Sequence, residues 1–348
     1  MDKKTKILVI GPDSPHLEKF ISRIDIPIYQ IEVVSSGKKH VTFRSIHQLN
    51  FSLIKIWNLL LTPLKLKRIA NNFKPDIVWV HQANSTAFYS VIALKGKFPI
   101  VLTAWGSDIL VAPVKSKLIQ LITQYILQSV DYITADAIFL GKKALQLVPN
   151  NKFPLKICQL GIDPLNVSLE KENIIYSNRG HKSLYRIKEV IEGFNRFSAS
   201  QKEDWRLIVA GHSSETEELK SLVKKLELTN QVEFVGFLSA LENAKWYGRA
   251  KVFVSIPESD GTAVSLLEAM YYGCIPVVSD LPANHEWITH GENGYIVTNL
   301  NTNFIADSLT INIDTLQTIN KKMITQSATP DSCQEKFIEV IDNVLKEK

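Results

Sequence analysis

Two carboxylates, Asp260 and Glu268, flank a strand-to-helix turn within KVFVSIPESDGTAVSLLEAMYYGCIPVV, the stretch that starts at Lys251 and ends at Val278. Between them stand Gly261, Thr262, Ala263 and Val264. If a helix starts there, the backbone N–H groups of Thr262, Ala263 and Val264 lack partners in the preceding turn, and with the helix dipole they form a site for a phosphate or similar anion. Gly261 lets a ligand approach the backbone closely. A phosphate site flanked by carboxylates that accept from hydroxyls suits a sugar nucleotide. The same residues also fit a plainer arrangement, in which Asp260 caps the helix and Glu268 is a solvated helix residue.

The elements that position these groups are legible around them. Val252 onward is a short β-branched run that reaches the polar turn through Pro257. Val264, Leu267 and Met270 then recur at helical spacing, Gly273 ends the helix, and Ile275 to Val278 read as the next buried parallel strand. The unit is βαβ, and such units bind ligands at the carboxyl ends of their strands.

The pattern P-E-S-D-G-T-x-x-S-L-L-E-A-M-x-x-G-x-I-P-V-V from Pro257 to Val278 resembles the donor-binding signature of GT4-type (group 1) glycosyltransferases, retaining enzymes of the GT-B fold. The resemblance implies that Asp260 contacts the hexose of the donor and Glu268 the ribose. That family usually carries two glutamates, so Asp260 is a shorter carboxylate than the pattern has. Arg179 follows a strand, as does the family's arginine for the donor diphosphate, and a guanidinium binds such oxygens in a fork. Lys182 is the candidate for the family's partner lysine, although Tyr185 falls near its usual position, and Arg186 is another nearby cation; plain surface charge is the alternative for Arg179, Lys182 and Arg186, and it suits Arg186 best. VEFVGFL resembles the segment that holds the nucleobase, which makes Phe237 and Leu238 base-contact candidates or simply core residues.

The chain has 348 residues, 45% of them hydrophobic, and a formal charge of +5. This length suits two folded domains rather than one core. The mild positive charge fits an anionic nucleotide or an anionic membrane surface and does not imply nucleic acid. The N-terminus runs from charge straight into a strand and no apolar run is long enough to span a bilayer, so the expected location is cytoplasmic, with peripheral contact at the inner membrane face. Cys158, Cys274 and Cys333 are far apart without metal-ligand spacing, as reduced thiols. Neither a metal nor another cofactor is expected.

Alternating strands and helices predict an α/β protein of two doubly wound, Rossmann-like halves with a cleft between them. The boundaries are drawn at 1–165 for an acceptor-binding domain and 166–330 for a donor-binding domain, with 331–348 as a closing helix that, in this fold, crosses back onto the first. In the N-terminal half, Gly11, His16 and His81 lie near predicted strand ends as acceptor-side candidates, and structural roles fit both histidines as well. TAWGSDIL resembles a loop of the family in which many relatives carry histidine where Trp105 stands. Asp108 thus becomes the candidate group facing the reacting centre, or else an Asx-type cap. Phe51 to Arg68 predicts an amphipathic basic helix broken near Pro63, suited to anionic lipid or, equally, to packing with snorkelling lysines.

The function implied is transfer of a hexose from a nucleotide diphosphate sugar to a glycan acceptor, lipid-linked by family habit, in bacterial surface polysaccharide synthesis. The rival readings are a sugar-nucleotide epimerase or hydrolase of the same fold, and a non-catalytic donor-binding partner subunit.

Overall fold

The computed structural model describes residues 4–151, 153–200 and 204–346. Two compact units are present, one built from 1–160 together with 330–348 and the other from 161–329.

The first unit contains β1 (Thr5–Gly11), α1 (Pro15–Ile24), β2 (Tyr29–Ser35), β3 (Ile46–Gln48), α2 (Ile56–Phe73), β4 (Ile77–His81), α3 (Ser85–Leu94), β5 (Ile100–Ala104), α4 (Ser107–Leu110), α5 (Ala112–Lys115), α6 (Lys117–Leu127), β6 (Tyr132–Ala135), α7 (Ile138–Leu147) and β7 (Leu155–Ile157). Its sheet is parallel, in the order β3-β2-β1-β4-β5-β6-β7. β4 and β5 are buried throughout, because helices cover both faces of such a sheet and their Val, Ile, Leu and Trp side chains fill both layers.

The second unit contains β8 (Glu172–Ser177), α8 (Ile187–Ser198), β9 (Arg206–Ala210), α9 (Thr216–Lys225), β10 (Val232–Gly236), α10 (Ala240–Arg249), β11 (Ala250–Ser255), α11 (Val264–Tyr271), β12 (Ile275–Ser279), β13 (Tyr295–Val297), α12 (Phe304–Ser308) and α13 (Ile313–Ser327). Its sheet is parallel in the order β10-β9-β8-β11-β12-β13. Order reverses beside β8 and β11, the two strands whose carboxyl ends lead to Arg179 and to the Asp260 turn, and a switch of this kind opens a crevice for a ligand. At the opposite end, the ammonium of Lys171 donates to the carbonyls of Tyr247, Ala250 and Tyr272, each at 2.8 Å, and fastens three segments together.

The chain then returns to the first unit. α14 (Pro330–Lys346) packs against α1, with Phe337 edge-on to Phe20 at 5.1 Å and to Trp79 at 5.8 Å.

α2 corrects one expectation. It runs unbroken through Pro63, and Thr62 and Pro63 lie on the buried side, where the helix packs on α3. Its other side is open: Ile56 and Trp57 are each 71% exposed, Leu60 65% and Leu64 60%. Those apolar side chains are largely uncovered by the described residues, whereas Leu66, Ala70 and Phe73 pack inward.

Candidate functional site

The second unit gathers its functional groups at the head of α11. β8 ends at Ser177, and Arg179 projects from the turn that follows. Its guanidinium donates to Asp260 Oδ2 at 2.6 Å and to Ser265 Oγ at 3.1 Å, and it lies over the Tyr185 ring at 4.6 Å from the centroid. Asp260 turns its other oxygen to the backbone N–H of Gly261 at 3.0 Å. The loop between β11 and α11 is further held by Trp287, whose indole N–H donates to Thr262 Oγ1 at 3.3 Å, and by Glu258, whose N–H donates to the Leu184 carbonyl at 2.9 Å. Arg179, Asp260, Gly261, Thr262, Ala263 and Val264 thus belong to one cluster. α11 begins at Val264 with Ala263 as its cap, and no side chain caps it. A cation and the N-terminal end of a helix meet there, an arrangement that stabilises bound anionic oxygens.

Glu268 lies one turn further along α11, half-buried. Its charge adds to burial in raising the phenols of Tyr176, Tyr247 and Tyr272 above their usual range. Next to these rings Asn178 donates to Tyr247 Oη at 2.8 Å and to Asn243 Oδ1 at 3.1 Å. Phe237 follows the bend at Gly236 (φ 68°) and is 80% exposed, with the His212 ring 6.4 Å away, whereas Leu238 packs partly into the core. Gly211 must be glycine, since at φ 102° a Cβ there would lie 2.7 Å from the Arg179 carbonyl oxygen.

Lys182 is not brought into the cluster. It is exposed at the start of the turn 183–185, with no ion pair among the described residues, and Arg186 instead faces Glu258 at 3.6 Å. Ser265 and Tyr185 are the cluster members that motif reading left without a role. The serine is part of the motif itself, and the tyrosine stands where the family's lysine falls.

In the first unit, Asp108 is fully committed to main-chain donors: Ala83 N–H at 2.7 Å and Trp105 N–H at 3.0 Å. Burial raises its carboxyl above the ordinary range, and these donors oppose the rise. The carboxylate thus ties the loop after β4 to the loop after β5, and it does not cap the following turn, since α4 has no side-chain cap. His81 is wholly buried and accepts the Trp105 indole N–H on Nδ1 at 3.2 Å. Burial, and to a lesser degree His16, push its imidazole down to about 3. Its imidazole is therefore neutral in the folded chain. The His16 ring lies edge-on to Trp105 at 5.3 Å, and Gly11 is packed so closely that a Cβ would fall 2.8 Å from Leu17 Cδ1. Gly11, His81 and Asp108 are thus packed near the strand ends, whereas His16 is exposed.

Residues 162–325 match the family model of glycosyl transferases group 1, and residues 6–137 match that of glycosyl transferase 4-like proteins. The chain belongs to the GT4-type glycosyltransferases. Its architecture is the GT-B fold: Anabaena HepE, solved in complex with UDP, superposes with a TM-score of 0.80 over 97% of this chain and 100% of that one, at 14% identity. This likeness concerns the fold alone. Among relatives of known activity, the N-acetyl-alpha-D-glucosaminyl L-malate synthase of Bacillus anthracis is 26% identical over 260 residues, or 70% of this chain and 66% of the relative. The O-antigen chain mannosyltransferase RfbU of Salmonella typhimurium is 28% identical over 142 residues, 36% of this chain and 40% of its own length. The chain therefore spans less than two thirds of the length of these relatives.

Proposed function

We propose that this GT4-type chain is a retaining glycosyltransferase that moves a hexose from a nucleotide diphosphate sugar to a hydroxyl of a glycan acceptor during cell-surface polysaccharide assembly. The observation that carries the reading is the Arg179 guanidinium, held between Asp260 and Ser265 at the head of α11. In the transition state the bond from the sugar C1 to the diphosphate oxygen breaks while a bond to the acceptor oxygen forms on the same face. Negative charge grows on the leaving diphosphate, where Arg179 and the N-terminus of α11 stabilise it. The departing oxygen accepts the proton of the acceptor hydroxyl, which needs no enzyme carboxylate as nucleophile. Glu268 accepts from the ribose hydroxyls and Asp260 from a hexose hydroxyl, while Phe237 and Leu238 border the base. The charge is met without a metal ion, so chelation leaves transfer unchanged. Retention and the individual contacts rest on the resemblance to the family.

The acceptor is lipid-linked in this reading. Support comes from α2, whose exposed Ile56, Trp57, Leu60 and Leu64 stand beside Lys55, Lys65 and Arg68, a composition suited to the interface of an anionic bilayer. Among the described residues no helix is long and apolar enough to cross a membrane. The activity is tested by titrating the purified protein with UDP, GDP and ADP and their sugar conjugates, then adding membrane lipid extract with the conjugate that binds. Sugar incorporation into lipid supports the reading, and its persistence in EDTA supports metal independence. Tight donor binding without turnover under these conditions would instead identify a non-catalytic subunit, and epimerised or hydrolysed donor would identify the other rival.

A further inference from the structure

The second unit carries a cavity of about 640 Å³ on the edge of its sheet opposite the donor site. It lies at the amino ends of β8, β11 and β12, where Lys171, Gly248 and Gly273 precede those strands. We propose that this cavity binds a soluble phosphate monoester with a hydroxylated body, a sugar or polyol phosphate, as a ligand separate from the donor. The inference does not rest on the glycosyltransferase reading.

The walls are held in place by contacts of their own. Segment 164–169 forms one side and is clamped at Leu165, whose N–H donates to Tyr272 Oη at 2.9 Å while that phenol donates to the Leu165 carbonyl at 3.2 Å. Gly248 lets the segment pass close to α10, because a Cβ there would lie 3.3 Å from Val167 Cγ1. On the other side stands α13, whose Gln317 amide donates to the Gly273 carbonyl at 3.1 Å. The Ile162 N–H donates to the Ala328 carbonyl at 2.9 Å, so the chain leading into the cavity wall is also tied to the end of α13. A ligand that bridges Asn166 or Ser168 to Lys321 fastens the same two elements a second time.

Charge decides the class of ligand. α10 and α11 both end at this edge, and the carbonyls of helix C-termini ordinarily attract cations. Here the Lys171 ammonium already takes the carbonyls of Tyr247, Ala250 and Tyr272, and Gln317 takes that of Gly273. The lining contains no carboxylate, and Lys321 adds a second ammonium that makes no ion pair or hydrogen bond among the described residues. Three neutral donors accompany it: the Asn166 amide, the Ser168 hydroxyl and the Tyr271 phenol, which likewise make no side-chain hydrogen bond among the described residues. A cation with several neutral donors suits phosphate oxygens, which mainly accept. The volume is that of a small-molecule site and leaves room for more than a phosphate. The rest of the lining fits a hydroxylated body: Gln317 keeps Oε1 as an acceptor, and Pro164 and Leu169 offer apolar surface to C–H groups.

The test is isothermal titration of the full chain with glucose 6-phosphate and glycerol 3-phosphate, with glucose as the neutral control. The expected result is binding of at least one ester and none of glucose. Lys321→Glu, a charge reversal at an exposed position, weakens the ester roughly tenfold or more, the effect of one lost charged hydrogen bond. It leaves binding of UDP, GDP or ADP, whichever the parent takes, unchanged, and Arg179→Ala leaves the ester bound as in the parent. Deuterium exchange at the amides of 164–171 slows when the ester is present, which places it against this wall. An unfolding midpoint equal to the parent shows that Lys321→Glu is folded, and if it is not, Lys321→Gln decides. No binding of either ester, unaltered binding to the folded Lys321 variant, loss of binding in Arg179→Ala, or binding to phosphatidate vesicles alone would overturn the proposal. Ester binding in a chain that binds no nucleotide would keep this cavity and remove the glycosyltransferase reading.

Discussion

Replacing Asp260 by asparagine separates two roles that a loss-of-activity experiment would merge. In the free protein the Asp260 carboxylate holds Arg179 at 2.6 Å, with the two side chains 23% and 13% exposed. Any diphosphate that binds Arg179 must compete with that carboxylate and also approach a like charge. The asparagine side chain is uncharged yet still able to accept the Gly261 N–H, so the loop conformation is kept. A partly exposed pair of this kind is worth about 1 kcal/mol, so its removal strengthens binding of the free nucleoside diphosphate roughly fivefold. The donor sugar responds in the opposite sense. If Asp260 accepts from a hexose hydroxyl, loss of that charged hydrogen bond costs about 1.5–3 kcal/mol, which outweighs the gain and leaves the sugar nucleotide bound more weakly by roughly 0.5–2 kcal/mol. Isothermal titration with the diphosphate and its sugar conjugate, on parent and variant, measures both. The gain for the diphosphate also shrinks with added salt, because the pair is partly solvated. Weaker diphosphate binding, or shifts of equal sign for both ligands, would refute the reasoning.

Stability should depend on pH through His81. Its pKa is about 3 in the folded chain against 6.5 in the unfolded one, so between these values only the unfolded chain takes up the proton and stability falls as pH is lowered. From pH 6.5 to pH 5 the loss is about 1.6 kcal/mol, and denaturant melts of His81→Gln should lack that part of the slope. Exchanging Trp57 and Leu60 together for aspartate should abolish cosedimentation with anionic liposomes while leaving the unfolding midpoint unchanged, since both side chains are exposed; parent protein that fails to cosediment would exclude the lipid contact. Phe337→Ala should cost about 3–5 kcal/mol in urea unfolding, as a buried aromatic is removed from between Phe20 and Trp79.

How far the sequence could be read followed how local each feature is. The turn from Pro257 to Thr262 and the helix after it are contiguous, so the strand, the start of the helix and the places of both carboxylates beside it were legible from spacing. Ser265 was not, because its hydroxyl gains meaning only from an arginine that reaches it from another strand end. The role of Asp108 was undecidable for the same reason: one of its two donors, the Ala83 N–H, arrives from the end of a neighbouring strand. Periodicity needs length, and the three-residue β3 and β7 are too short to show it. α2 has alternating leucines and lysines whether or not something covers it, and only the placement of α3 on one side reveals which leucines are left bare.

The return of α14 to the first unit sets an order on how the molecule is made. Residues 161–329 form a continuous unit that can acquire all of its contacts as soon as it leaves the ribosome. The unit synthesised before it cannot: its core between Phe20 and Trp79 waits for Phe337. The half of the chain that emerges first is thus completed last, the reverse of the usual vectorial order. Until then the nascent N-terminal half holds an open apolar seam as well as the bare side of α2, two surfaces that a chaperone or a membrane would have to shield while translation proceeds.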